Sequence, residues 1–206
     1  MQPEEEFQAK TNVSHETLKK YKAWHRLLVK WNAKINLVAK STLPEFWTRH
    51  ALDSWQITPL LRETDQNCLD FGSGGGFPGL SVAIALAERA EARVTLTESA
   101  GKKASFLKTV SREVDLPTHI HSGRIEDLDD FSADVITARA FAPLDRLLGY
   151  SQPFLSPETQ LLLLKGAAVD EELELARAQW TFDYETVKSL SDEDGCILKV
   201  KNVNRR

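Results

Sequence analysis

Few residues in this chain have the type and setting for chemistry. Two carboxylates, Asp70 and Glu98, each end a strand-like run. Two bases, Arg139 and Lys165, each end an apolar one. A glycine-rich stretch follows the first carboxylate. Cys68 to Leu80 reads Cys-Leu-Asp-Phe-Gly-Ser-Gly-Gly-Gly-Phe-Pro-Gly-Leu and holds five of the ten glycines. Cys68, Leu69 and Phe71 read as the end of a buried strand, and Leu80 to Glu88 as an apolar helix. Strand, glycine turn and helix together open a βαβ unit. Glycine at Gly72, Gly74 and Gly76 permits positive φ and lets a ligand approach the backbone. Pro78 suits the first turn of the helix. The helix N-terminus offers N–H groups to an anionic group.

Two spacings overlap in this stretch. Gly74-x-Gly76-x-x-Gly79 formally matches the dinucleotide fingerprint, but starts too late after the strand for a tight βα turn. Asp70-x-Gly72-x-Gly74-x-Gly76 resembles the motif of S-adenosylmethionine (AdoMet) methyltransferases more closely. AdoMet carries a sulfonium and an ammonium. A carboxylate such as Asp70 beside it favours a cation and would repel a pyrophosphate. Glu98 ends Arg93-Val-Thr-Leu-Thr, about twenty residues beyond the turn, where nucleotide-binding α/β folds place an acid on the ribose.

The bases are harder to assign. Arg139 sits in Thr137-Ala-Arg-Ala-Phe-Ala-Pro143. An arginine so flanked has a partner: either an acid such as Asp70 or Asp134, or the cofactor carboxylate or substrate. Lys165, after four leucines, either snorkels or serves the site. Cys68 lies in a strand and Cys196 near the tail, so neither stands at a strand end suited to a nucleophile. His119 and His121 share a strand face without further ligands, so no metal site is expected.

The 206 residues carry a net charge of −4, which argues against a nonspecific nucleic-acid binder. The charge is uneven. Lys10, Lys19, Lys20, Lys22, Arg26, Lys30, Lys34 and Lys40 are broken only by Glu16. No run is long enough to span a bilayer, the acidic N-terminus lacks an apolar signal region, and two distant cysteines suit a reducing setting. The expectation is therefore a cytoplasmic protein without membrane partners, a monomer being favoured.

In chain order, Ser14 to Asn32 reads as an amphipathic helix through Leu18, Tyr21, Trp24, Leu28 and Trp31. Ser41 is expected to cap a second helix carrying Phe46 to Asp53, and a short third lies at Pro59 to Arg62. Strands are expected at Asn67, Arg93, Leu116, Asp134 and Gln160, alternating with helices. An antiparallel pair, Thr181 to Ser189 and Cys196 to Asn202, closes the chain. The fold expected is α/β: a doubly wound, Rossmann-like class I AdoMet-dependent methyltransferase. It forms one domain over 1–206, with a helical cap over 1–63 and an AdoMet-binding core over 64–206. The loop Ser122 to Leu128 would pass the adenine, with Ile125 against the ring.

Several of these stretches form a recognisable set: Trp31-Asn-x-x-x-Asn36-Leu, Arg49-His-x-Leu-Asp53-Ser54, Asp70-Phe-Gly-Ser-Gly-x-Gly-Phe-Pro-Gly79, Lys102-Lys-x-x-Phe-Leu107, Arg139-Ala-Phe-Ala-x-Leu144 and Lys165-Gly166. In this order, from Leu18 to Val200, they resemble the RsmG (GidB) family. The resemblance implies an AdoMet-dependent methyltransferase making N7-methylguanine at guanine 527 of 16S ribosomal RNA. Its partner would be that RNA or the small ribosomal subunit. By matching positions it places cofactor contacts at Gly72, Phe77, Ile125 with Glu126, and Arg139, beside Asp70, Gly74, Gly76 and Glu98 of the loop reading. Arg139 and Lys165 become positioning residues. Guanine N7 has a lone pair and no proton, so no general base is needed, and catalysis rests on alignment. Two other classes stay open: a nicotinamide-dependent oxidoreductase using the overlapping glycines, and a non-catalytic RNA-binding protein.

Overall fold

Strand β1 (Asn67–Phe71) lies near the middle of a seven-stranded sheet in a computed structural model that describes residues 2–206. The other strands are β2 (Arg93–Thr97), β3 (Thr118–His121), β4 (Val135–Arg139), β5 (Gln160–Lys165), β6 (Trp180–Lys188) and β7 (Cys196–Arg205). Their order is β3-β2-β1-β4-β5-β7-β6, and only β7 runs against the rest. The order reverses between β1 and β4, so the carboxyl ends of these two strands flank the crevice where doubly wound sheets bind ligands.

The central strands are buried on both faces, as near-continuous runs such as Gln160-Leu-Leu-Leu-Leu require. One face packs on α4 (Gly79–Ala85) and α5 (Gly101–Glu113), through Leu80, Phe106 and Val110. The other packs on α6 (Leu144–Ser151) and α7 (Val169–Arg177), through Leu147, Leu148 and Leu173. Among the described residues no helix is long and apolar enough to cross a membrane.

The N-terminal helices extend the α4–α5 side. Helix α2 (His15–Asn32) is capped by Ser14, whose hydroxyl accepts from the Thr17 N–H. Its stripe of Leu18, Tyr21, Trp24 and Leu28 is buried. Trp24 donates its indole N–H to the Gly75 carbonyl at 3.0 Å, and the Tyr21 hydroxyl bonds Ser81. The cap therefore pins the glycine turn and α4 from outside. Helix α1 (Pro3–Thr11), which the sequence pattern does not announce, has one apolar anchor, Phe7, set against Tyr21 and Trp47.

The expected second helix takes another form. A 3-10 turn spans Lys40–Glu45, a π turn Phe46–Ala51, and one α turn, α3, Leu52–Trp55. Pro44 has no N–H to give an α-helical bond. The π turn buries Phe46, Trp47, His50 and Ala51 together, on a narrower arc than the same positions would span in an α-helix. Ser41 caps nothing.

Candidate active site

The glycine turn is built for close approach. Gly72, Gly74 and Gly76 have φ of 63°, 54° and 97°. A Cβ on Gly76 would meet the Leu80 side chain at 2.2 Å, whereas one on Gly74 would meet nothing nearer than 3.8 Å. Gly76 is thus a packing requirement, and the space above Gly74 is open. Glu98 ties the turn to β2: its carboxylate accepts from the Gly74 N–H at 2.9 Å and from the Ala100 N–H at 2.8 Å.

Asp70, expected from its place in the motif to face a ligand, is turned into the core and lines neither cleft of the sheet's carboxyl edge. It is fully buried, and its Oδ1 accepts from the Thr137 hydroxyl at 2.6 Å. Its Oδ2 is buried without a hydrogen-bond partner and faces Gly79, where a Cβ would come within 2.6 Å. The cause is strand alternation. Asp70 shares a face with Cys68, under α4, while Leu69 and Phe71 face the other core. Burial pushes its carboxyl up to about 6, against the lowering by its hydroxyl neighbours. Asp70 supports the turn from below.

Two clefts open at the carboxyl edge of the sheet. A small one of about 270 Å³ is bounded by Glu98, Ile125, Glu126 and Phe141. A large one of about 1220 Å³ lies over the ends of β4 and β5, with His50, Asp53, Arg139 and Lys165 in its walls. Phe141 lines both, its ring against the Gly72 backbone. Ile125, in a 3-10 turn at Ile125–Asp127, is buried, and Glu126 is exposed beside it, paired with Arg124.

Arg139 has a partner other than the acids expected. Its Nη1 donates to Asp53 Oδ2 at 3.1 Å, not to Asp70 or Asp134. Its guanidinium lies over the Phe77 ring at 4.6 Å, with Nη2 3.4 Å from His50 Nδ1. His50 stacks on Phe77 and reaches Thr42 through Nε2 at 3.0 Å. Burial, then the charges of Arg139 and Arg49, push its imidazole down to about 4. Phe77 is buried between Trp24, His50 and Arg139, so its ring is a platform within the protein.

Lys165 is committed elsewhere. Its ammonium donates to Glu172 at 2.6 Å and to the Ala142 carbonyl at 3.3 Å, and Glu172 also accepts from the Leu144 N–H. It fastens the loop after β4, where Ala140 takes φ of 51°. Cys196 corrects another expectation. Because β7 runs antiparallel, its first residue pairs with Lys165 at the ligand edge and lines the large cleft. Burial, then Asp170, raise its thiol pKa, so it is held protonated and weakly nucleophilic. Among the described residues no three His, Cys, Asp or Glu side chains form a metal-holding group.

The strand order and the glycine turn at the switch point define a class I AdoMet-dependent methyltransferase fold, as expected. Solved structures agree. A TehB-like SAM-dependent methyltransferase from Corynebacterium glutamicum matches with a TM-score of 0.54 at 14% identity, over 74% of this chain and 87% of that one. TYW2 of M. jannaschii, in complex with AdoMet, matches with a TM-score of 0.54 at 14% identity, over 84% of this chain and 80% of that one. A family model described as rRNA small subunit methyltransferase G matches residues 16–196. Ribosomal RNA small subunit methyltransferase G of Parvibaculum lavamentivorans is 46% identical over 97% of this chain and 89% of its own. That of Paramagnetospirillum magneticum is 42% identical over 98% and 96%. The chain belongs to the rRNA small subunit methyltransferase G family.

Proposed function

We propose that this chain, cap and core acting as one domain, methylates N7 of guanine 527 in 16S ribosomal RNA in the cytoplasm, with AdoMet as methyl donor. One observation carries the reading. Phe141, packed against the positive-φ glycine turn, lines both clefts, and the imidazole and the thiol in the walls, His50 and Cys196, are both held neutral. The residues fit AdoMet. Glu98 offers an acceptor-only group for a diol, Ile125 an apolar edge for a ring, and Arg139 a fork for a carboxylate. The open space above Gly74 leaves room for the backbone approach. When bound, AdoMet supplies an electrophilic methyl group on a sulfonium.

The chain's own work is then orientation. The large cleft holds a guanine splayed from its loop, and its walls fix the base so that N7 lies in line with the methyl. Arg139 cannot make the common bidentate contact to guanine O6 and N7, because that would cover the nucleophile. Its place is the cofactor carboxylate, O6 or a phosphate. His50 stays neutral with both ring nitrogens engaged, Asp70 is sealed under α4, and the Cys196 thiol keeps its proton. None is needed as a base, since N7 has no proton to lose. Lys165 positions the loop that carries Phe141.

Basic surface on the cap supports an RNA partner. Lys10, Lys19, Lys22 and Arg26 are spent in ion pairs with Glu6, Glu16, Glu4 and Glu113. Among the described residues, Lys30 and Lys34 have no such partner, nor do Lys102 and Lys103. Arg26 meets Glu113 and Trp31 meets Phe106, so the end of α2 runs toward the start of α5. These four lysines therefore lie toward the edge where the clefts open. The test is methyl transfer from labelled AdoMet to small-subunit RNA or particles lacking the modification. Incorporation into guanine supports the reading. Binding of NAD in place of AdoMet would favour the oxidoreductase, and AdoMet binding without transfer would favour the non-catalytic protein.

A further inference from the structure

Asp53 stands where a residue aiming Arg139 should stand. It comes from α3 of the cap, Arg139 from the end of β4, and both line the large cleft. Their side chains are 17% and 22% exposed, so the pair is partly desolvated. Such a pair is a weak source of stability, because desolvation offsets much of the attraction. What it does supply is direction. Asp53 Oδ2 takes Nη1 of Arg139, while Oδ1 is held by the Ser191 hydroxyl at 2.7 Å and the Gln56 amide at 2.9 Å. Gln56 in turn accepts from the Leu190 N–H at 2.7 Å. The carboxylate is thus fixed by α3's C-terminal neighbour and by the turn between β6 and β7. His50, held neutral, brings no second charge to the guanidinium.

We infer that Asp53 is a positioning residue for Arg139: it occupies one edge of the guanidinium fork and leaves the remaining N–H groups facing the site for a second carboxylate, that of AdoMet. A planar fork with five donors can serve two anions at once, which a lysine ammonium on a flexible stem does less well. The turn carrying Ser191 sets where the fork points. This inference rests on the reading of Arg139 as a cofactor contact.

The experiment is a double-mutant cycle on AdoMet binding, by calorimetric titration of the full chain. The four proteins are wild type, Asp53→Asn, Arg139→Ala and the double variant. Asp53→Asn keeps the shape and removes the charge. It is expected to weaken AdoMet binding roughly tenfold, within the coupling range of contacting residues. In the Arg139→Ala background it should weaken binding no further. In turnover, Asp53→Asn should raise KM for AdoMet and leave kcat within about twofold, a split that a shortage of folded protein would not give. Ser191→Ala, which keeps the charge but frees one side of it, should show a smaller effect that also vanishes without Arg139. Equal weakening in both backgrounds, no weakening from Asp53→Asn, or a fall in thermal stability alone would overturn the inference. So would a failure of wild type to bind AdoMet, which removes the cofactor reading as well. If wild type binds AdoMet but methylates no guanine N7, the proposed reaction falls and the cycle still decides the role of Asp53.

Discussion

At Gly74 the backbone takes φ of 54° in open space, so substitution there separates folding from binding. Gly74→Val should cost about 1–2 kcal/mol in backbone strain and keep the fold, since no atom blocks its Cβ. Its branched side chain enters the ligand space, and a calorimetric titration should find AdoMet binding abolished; wild-type-like affinity would contradict the placement. Base-free transfer makes its own demand. His50, pushed down to about 4, stays neutral across pH 6 to 8. The single-turnover rate with saturating AdoMet should therefore show no ionisation near ~6.5, the ordinary histidine value. Cys196→Ser, although it alters the wall of the large cleft, should leave that rate nearly intact. A histidine-dependent fall in rate on acidification, or loss of turnover in the cysteine variant, would require a base or a nucleophile. The sequence makes the types of these residues legible but not their directions. Arg139 visibly needs a partner, yet the one it has lies 86 positions away, and nothing along the chain distinguishes Asp53 from nearer acids. Cys196 is hard to place because the edge reached by β7's first residue depends on strand direction, which a single strand pattern does not encode.

The strand–turn–helix unit from β1 to α4 is the most legible element, because glycine spacing and apolar runs are local signals. What the pattern conceals is the face of Asp70, since a strand buried on both sides has no polar-out positions to fix its phase. That burial has a measurable consequence. Asp70 titrates at about 6 in the folded chain against an ordinary 3.8, so the folded state holds a proton that the unfolded state has released. The stabilisation from the neutral carboxyl is complete below about pH 4 and is lost as pH rises through about 6. Stability measured by denaturant should therefore fall over that window relative to Asp70→Asn, in which the step is absent; parallel profiles would show that Asp70 is ionised throughout. The loop after β4 is the second element with a cost attached. Lys165→Met keeps the packing of the stem but leaves Glu172 with only the Leu144 N–H, and should destabilise by ~2 kcal/mol, below the range for fully buried pairs because Glu172 is partly exposed. AdoMet affinity should change less than in Arg139→Ala; the reverse order would make Lys165 a ligand contact. Helix α1 and the π turn escape the sequence because each depends on a tertiary contact. Phe7 has no local periodicity to announce it, and the buried positions of Phe46 to Ala51 suit an ordinary helix as well, so the pattern announces a helix and not its π form.

Over the whole molecule the charge is negative, −4, yet four lysines without ion pairs, Lys30, Lys34, Lys102 and Lys103, lie toward one edge. Lys102→Glu with Lys103→Glu should lower affinity for the RNA and reduce the salt slope by about one for each phosphate no longer neutralised, with AdoMet affinity unchanged. An unaltered slope would return these lysines to ordinary solvated surface. Composition conceals this division, since it counts Lys19 and Arg26 alike with Lys30 and Lys34, and only the fold shows which are neutralised by acids. The proposed reaction is identified most directly by its product. Small-subunit ribosomal RNA from cells with and without the protein should be compared by mapping methylated guanines, position by position and atom by atom. The expected result is a single N7-methylguanine, at guanine 527, present only with the protein. Methyl on an exocyclic amine or a ring carbon, or an N7-methylguanine that persists at that position without the protein, would contradict it.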